Sequence, residues 1–412
     1  MLDLRDLKAR TELALAQRVA GQLEAARERI DAVVQEMPID YFALHEQYAI
    51  AKALGQDAKA TESLNGFWRL VSREPDSILE VTFDYLAAGR RSEARTILEE
   101  AVKRQQYPML HYALGYLYQQ DGNKERARAE YVVGAKGDPA FVFPHRVEEI
   151  QILSAAREVV PDDARAAYYL GNALASFNRD KEALIAWKAA ASDSGNAIAR
   201  RNLARALWVV EGNKDQAAKE YQSAIASSPN EYRLYVEFDR LLAEMNALQR
   251  RIELLEGAPA GVKSQSPFVQ SLAGAYLDAN RFGDASTLLA KTAFTSGEGE
   301  DAALGLYRRA HLGLARQYQL SGDHAKAAAE FVAVTEYPRN LGVGRPAMQS
   351  QAREYVAAAR EYELAGNKIE SDKWWNQAAT EELNPPTQPE EPWSEHYFYK
   401  AVALDQDRKS VV

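Results

Sequence analysis

Six histidines, at positions 45, 111, 145, 311, 324 and 396, are the only imidazoles in a chain of 412 residues that has no cysteine. Without thiols there can be no disulfide, Cys-type zinc site, iron–sulfur cluster or cysteine nucleophile. No histidine falls in a His-Glu-x-x-His spacing, and no serine sits in a Gly-x-Ser-x-Gly elbow. The densest chemical group is His145, Arg146, Glu148 and Glu149. On a helix His145 and Glu149 stand at i and i+4, so they can meet as a polar or metal-binding pair. The other reading of the same four residues is surface salt bridging with a capping role. The stretch 341–344, Leu-Gly-Val-Gly, superficially resembles a phosphate cradle, but it follows a helix, lacks a preceding strand and has no Lys-Ser or Lys-Thr after it. The acidic pairs Glu99-Glu100 and Glu381-Glu382 read as solvated helix faces. The sequence therefore predicts no catalytic residue, no cofactor and no metal ligand in this chain.

What positions these residues is a repeated helical hairpin. The stretch 163–195 reads as helix A, turn and helix B, with Gly171 and Ala183 as the small residues that let two helices approach. Trp187 is expected to fill the groove against the next hairpin. A turn residue able to take positive φ recurs as Gly21, Gly55, Gly89, Gly122, Asn178, Gly212, Asn246, Asn280, Gly322 and Gly366. The separations are 34, 34, 33, 56, 34, 34, 34, 42 and 44 residues. Five residues after each turn come Ala26, Ala60, Ala94, Ala127, Ala183, Ala217, Arg251, Ala285, Ala327 and Ser371, and four further on a large apolar residue from Ile30 to Trp375. The rhythm resembles the tetratricopeptide repeat (TPR), whose unit is ~34 residues. It predicts an all-α, right-handed TPR solenoid of about ten hairpins with one inserted helix.

By this reading residues 1–140 hold four hairpins, 141–161 the inserted helix, 162–294 four more hairpins and 295–383 the last two. Prolines 38, 75, 139 and 229 should stop each B helix. Pro144 is expected to open the inserted helix, with Val147, Ile150 and Leu153 as its apolar face. The extra residues at 295–301 read as a loop before an elongated helix A. Those at 337–346 read as a second, non-helical edge loop, projecting and suited to contact, with Tyr337, Asn340, Gly342, Gly344 and Arg345 as its motif. Residues 384–393 form a proline-rich spacer, and 394–406 begin a further helix without a partner. The final residues 407–412 match the translation of a short-read sequencing adapter, which predicts that the natural reading frame continues. Trp375 takes a packing position, and Trp374 is expected to cover the spacer.

Helix A faces line the concave surface of such solenoids, which would gather Tyr112, Tyr116, Tyr168, Asn172, Arg201, Arg205, Trp208, Arg233 and Arg240 in one groove. Aromatics interleaved with arginine suit an acidic or aromatic peptide or stacked sugar rings; the alternative is interhelical packing and solvated charge. A chaperone-tail clamp wants Lys and then Asn four residues on, where this chain has Tyr168/Asn172 and Arg201/Arg205. The net charge of −9 argues against generic nucleic-acid or anionic-membrane binding. The first residues, Met1 to Lys8, lack an apolar signal core, so the chain as written reads as cytoplasmic.

The segments 143–150, 168–172, 201–204 with Trp208, 310–314 and 336–345 are similar to the C-terminal repeat region of one family. Its members are large bacterial TPR proteins headed by a β-rich domain of unknown function and linked with carbohydrate metabolism. The resemblance runs from about Asp76 onward, with Arg339 where an acidic residue is usual and Val343 where Glu is common. It implies that this chain is an arm of a larger protein, with any enzymatic head upstream of Met1. The expected function is a non-catalytic scaffold for protein–protein or domain–domain contact, with carbohydrate reached only through an upstream domain. The alternatives are an accessory arm shaping a carbohydrate-active enzyme and, third, a peptide- or ligand-sensing regulator.

Overall fold

All ten turn residues lie in the left-handed region, with φ from 55° at Asn246 to 80° at Gly122. A side chain at positive φ is strained unless it is Asn or absent, which is why only two residue types fill these turns. The computed structural model describes residues 6–193, 195–294, 301–345, 350–383 and 395–410. All regular secondary structure among them is helical, and none of these helices is long and apolar enough to cross a membrane. The chain divides into two compact units, Met1–Gly212 and Asn213–Val412.

The first unit pairs α1 (Leu7–Val19) with α2 (Leu23–Glu36), α3 (Tyr41–Ala53) with α4 (Asp57–Val71), α5 (Pro75–Ala87) with α6 (Arg91–Arg104), and α7 (Pro108–Gln120) with α8 (Lys124–Lys136). The inserted α9 (Val147–Val159) packs on α7 and α10. Then come α10 (Ala164–Ser176), α11 (Asp180–Ala190) and α12 (Ala197–Val209). Polar side chains start these helices: Asp40, Asn123, Asp163 and Asn196 each accept a backbone N–H from the first turn, satisfying donors that helical bonding leaves over.

Pro75 does not stop a B helix but opens the next A helix, as Pro108 does; proline needs no N–H at a first turn. Pro144 does not open α9. Arg146 is the N-cap residue of that helix, its backbone N–H donates to Glu149, and Val147 points outward while Ile152, Leu153 and Ala156 form the buried face. Trp187 also departs from expectation. It lies on Gly171 of its own hairpin, where a Cβ would overlap the indole, just as Tyr131 lies on Gly115 in the α7–α8 hairpin. The large residue therefore closes its own hairpin.

The second unit runs α13 (Lys214–Ser227), α14 (Tyr232–Glu244), α15 (Leu248–Glu256), a short α16 (Ala260–Lys263), α17 (Ser266–Asp278), α18 (Phe282–Lys291), α19 (Asp301–Ser321), α20 (His324–Val334), α21 (Ala352–Leu364), α22 (Lys368–Thr380) and α23 (Glu395–Ser410). The elongated A helix is present, 21 residues long, and already includes Asp301, while the rest of the loop expected at 295–301, residues 295–300, lies outside the described residues. The loop at 337–345 contains a 3-10 turn at Arg339–Leu341 and is held down rather than projecting. Asn340 Nδ2 donates to the carbonyls of Leu289 (2.9 Å) and Thr292 (2.8 Å), and its carbonyl accepts from Phe294 N at 2.7 Å. Leu341 is buried beneath it.

Trp374 stacks on Tyr355 at 5.6 Å, and its Nε1 donates to Glu370. The spacer it was expected to cover lies outside the described residues.

Candidate functional site

The elongated α19 carries Arg309, Leu312, Gly313, Arg316, Gln317 and Leu320. This is the i, i+3, i+4, i+7, i+8, i+11 stripe that would normally be apolar. Here two of its positions are arginine. On α21 Arg353, Val356, Ala357 and Arg360 repeat the same seven-residue spacing. The two stripes line one cleft of about 800 Å³, together with Phe282, Phe331, Glu354 and Tyr399. Phe282 reaches the cleft because Gly313 leaves room for its ring; a Cβ there would collide with it. Leu320, 87% exposed, is the most open large apolar side chain among the described residues.

The arginines are not equally occupied. Arg309 pairs with Asp278 at 3.2 Å and Arg353 with Glu395 at 3.0 Å, both at exposed positions. Arg316 has no carboxylate partner among the described residues, and Arg360 has only the Trp375 ring, 5.9 Å from its guanidinium carbon. Glu354 is the one carboxylate lining the cleft. Burial raises its pKa, opposed by His396, Arg353 and Arg308. Arg309 also lines a second cavity of about 610 Å³, with Arg240, Arg251, Gln270, Gly274 and Gly305 among its walls. Two adjoining cavities on A-helix faces of α14, α17, α19 and α21 thus share one guanidinium.

Not all the residues expected in the groove reach a surface. Tyr112 is fully buried, its hydroxyl donating to Asp163 Oδ2 at 2.9 Å, and Tyr168 is also buried against Tyr169. Both serve packing, because at those helix A positions the ring points between helices. Tyr116 is half-buried. Asn172 is used internally, accepting from Trp187 Nε1 (3.1 Å) and Asn202 Nδ2 (3.0 Å). Arg201 reaches Asn202 at 3.4 Å, Arg205 is exposed and Trp208 is half-buried. Arg233 and Arg240 belong to the second unit; Arg233 rides over the Tyr232 ring, and Arg240 lines a cavity.

In the inserted motif the side chains of His145 and Glu149 do not pair. Glu149 Oε2 accepts the backbone N–H of His145 (2.7 Å) and of Arg146 (2.8 Å), and His145 Nδ1 bonds the Phe143 carbonyl. One oxygen of the carboxylate thus serves the helix start instead of the imidazole. Arg146 reaches Glu80 at 3.4 Å, and Glu148 is exposed. In the loop motif Tyr337 accepts from Arg308 (2.8 Å), Gly342 takes φ 75°, and Arg345 reaches Glu381 at 3.4 Å. Gly344 has open space about it. No group of three or more His, Asp or Glu side chains among the described residues is placed to hold a metal ion.

Arg309, Arg316, Arg353 and Arg360 were not singled out from sequence. Their signal was legible: arginine at a seven-residue spacing, on the core-type stripe of two A helices.

Residues 84–139, 150–197 and 188–232 match the family model of the tetratricopeptide repeat. No curated protein matches the chain. Several solved structures are similar at low identity. The human IFIT1 dimer with PPP-AAAA is 15% identical over 91% of this chain and 90% of its own, with a TM-score of 0.31. PilF of Pseudomonas aeruginosa is 16% identical over 60% of this chain and 98% of its own, with a TM-score of 0.29. MamA of Desulfovibrio magneticus, from residue 41 to its end, is 17% identical over 46% of this chain and 95% of its own, with a TM-score of 0.28.

Proposed function

We propose that this chain, which carries a tetratricopeptide repeat region, is a non-catalytic scaffold that binds an extended segment of a partner protein. The contact surface is the cleft between α19 and α21. One observation carries the reading: the cavities of about 800 and 610 Å³ share Arg309 in their walls, and each is lined by both guanidinium and apolar groups. Such a lining suits a polypeptide, which presents charged and apolar side chains in alternation along one strand. Repeat arrays are built from stacked units that leave long grooves rather than closed pockets, so a linear ligand fits better than a compact one.

The absence of cysteine makes the test direct. A photoreactive group attached at Gln317→Cys, in the cleft, should cross-link a partner segment, and a synthetic peptide of the captured sequence should compete the cross-link away. The same group at Lys219→Cys, exposed on α13, serves as the control. Equal capture from both positions, or no competition by the peptide, would refute the reading.

A further inference from the structure

We propose that the segment taken by the α19–α21 cleft is acidic, with carboxylates three residues apart in a polyproline-II chain and an apolar side chain between them. The proposal rests on the scaffold reading above and names its ligand class. Four arginines and one glutamate line the cleft in a chain whose net charge is −9. The local surface is therefore opposite in sign to the molecule. The excess is concentrated on Arg316 and Arg360, one from each helix, because Asp278 and Glu395 already hold Arg309 and Arg353. Guanidinium is the side chain best shaped to grip a carboxylate at two points.

The spacing follows from helix geometry. Seven residues of α-helix advance ~10.5 Å, which separates Arg309 from Arg316 and Arg353 from Arg360. Three residues of a polyproline-II chain complete one turn and advance ~9.3 Å, which returns every third side chain to the same face. Carboxylates at every third position therefore meet successive guanidiniums of one helix, Arg316 or Arg360 and the neighbouring Arg309 or Arg353, which exchanges its exposed carboxylate partner for the ligand's. Leu312 and Leu320 stand on the same face of α19, 40% and 87% exposed. Burying an apolar ligand residue on them adds the non-directional part of the binding.

Glu354 decides between a peptide and another polyanion. Its carboxylate stands among the arginines, where it repels a backbone that carries a charge on every unit. A peptide backbone instead offers it N–H donors. Single-stranded RNA is thus disfavoured by the same residue that favours a polypeptide.

The test uses the full chain and short fluorescent peptides read by polarisation. One peptide places Glu three residues apart around a central Leu; a second has the same composition with the acids contiguous; a third replaces Glu by Lys. A single-stranded RNA of similar length is the fourth probe. The spaced peptide should bind about tenfold more tightly than the contiguous one, and the Lys peptide should not bind. Arg316→Ala and Arg360→Ala should each weaken it about tenfold, and added salt should weaken it further. Arg205→Ala, an exposed arginine of the first unit, should change nothing. Both cleft arginines are exposed, so a circular-dichroism melt should show the variants folded. Equal binding of spaced and contiguous peptides, RNA binding as tight as the spaced peptide, or indifference to both arginine substitutions overturns the proposal. If Gln317→Cys captures a competable partner segment that is not acidic, the ligand class fails while the scaffold reading stands.

Discussion

Arg251 and Asp239 meet twice in the second unit, Nε to Oδ1 at 2.8 Å and Nη2 to Oδ2 at 3.4 Å, in the slot that alanine or serine fills in the nine other hairpins. A guanidinium fits there only because carboxylates surround it. Arg251 Nη1 also reaches Asp278 Oδ2 at 2.8 Å, and the other oxygen of Asp278 holds Arg309. Burial pushes the Asp239 carboxyl up, and Arg251 pulls it back. A substitution that looks like repeat decay is the start of an ion chain ending at the arginine shared by the two cavities.

Removing one partner of such a pair strands the other charge. Arg251→Ala should cost about 3 kcal/mol in urea unfolding followed by circular dichroism, because Asp239 stays buried without its cation. Removing Asp239 in the same chain should recover much of that loss, since no buried charge then remains. Penalties that simply add in the double variant would show that the two side chains are not coupled.

The contact of Gly171 with Trp187 predicts a different failure. A methyl group at 171 overlaps the indole, so the ring must move and its Nε1 must leave Asn172. Gly171→Ala should lose about 1–3 kcal/mol as overpacking. Shrinking the ring in the same chain with Trp187→Phe should restore part of the thermal stability. If Gly171→Ala melts like the parent chain, the close approach is not structural.

The hairpin turns were readable one residue at a time because a single backbone requirement, positive φ, admits few residue types. The small-then-large pairing was readable for the same reason: helix approach is a local steric rule. The direction in which Trp187 packs was not, since one spacing serves both its own hairpin and the next. The i, i+4 spacing of His145 and Glu149 presumes that His145 is already helical, whereas the helix starts after Arg146. Tyr112 and Tyr168 looked like groove residues because aromatic side chains serve packing and recognition equally well. The cleft arginines do not stand out in the sequence because charge on a helix stripe usually marks a solvated face, although the missing apolar partner there is itself the signal.

Gly89 isolates the backbone part of the turn rule. Its φ is 72°, and nothing lies within 4 Å of a Cβ built there. Gly89→Ala should therefore cost about 1 kcal/mol from conformation alone. Asn178→Gly, at φ 58°, should be close to neutral, because glycine adopts that conformation without strain. Equal losses at the two positions would mean that side-chain contacts, not φ, select these residues.

The last prediction concerns acid. His45 is buried on α3, and its ring nitrogen Nδ1 lies 2.9 Å from the Tyr85 hydroxyl. That hydroxyl donates to Glu46 Oε2, so the network assigns the Nδ1 proton to His45, as donor to the tyrosine oxygen. The charged and titratable groups about the ring are Arg18 of α1, Glu46 and Tyr48 of α3, Tyr85 of α5 and Glu93 of α6. Burial, reinforced by Arg18, lowers the histidine pKa to about 3. The unfolded chain binds a proton near the ordinary value of about 6.5 while the folded chain refuses it, so stability is full above that pH and falls below it. The loss should run at just over 1 kcal/mol per pH unit as the solution is acidified from about 6.5. Burial raises Glu46, so its titration acts in the opposite sense, and comparing two chains that both keep Glu46 from about pH 6.5 to 5 isolates the histidine. His45→Gln keeps a donor to Tyr85 and cannot take the proton. Urea unfolding of both chains across that interval should give a difference in stability that shrinks steadily as pH falls. Curves that stay parallel would mean that His45 accepts its proton in the folded chain.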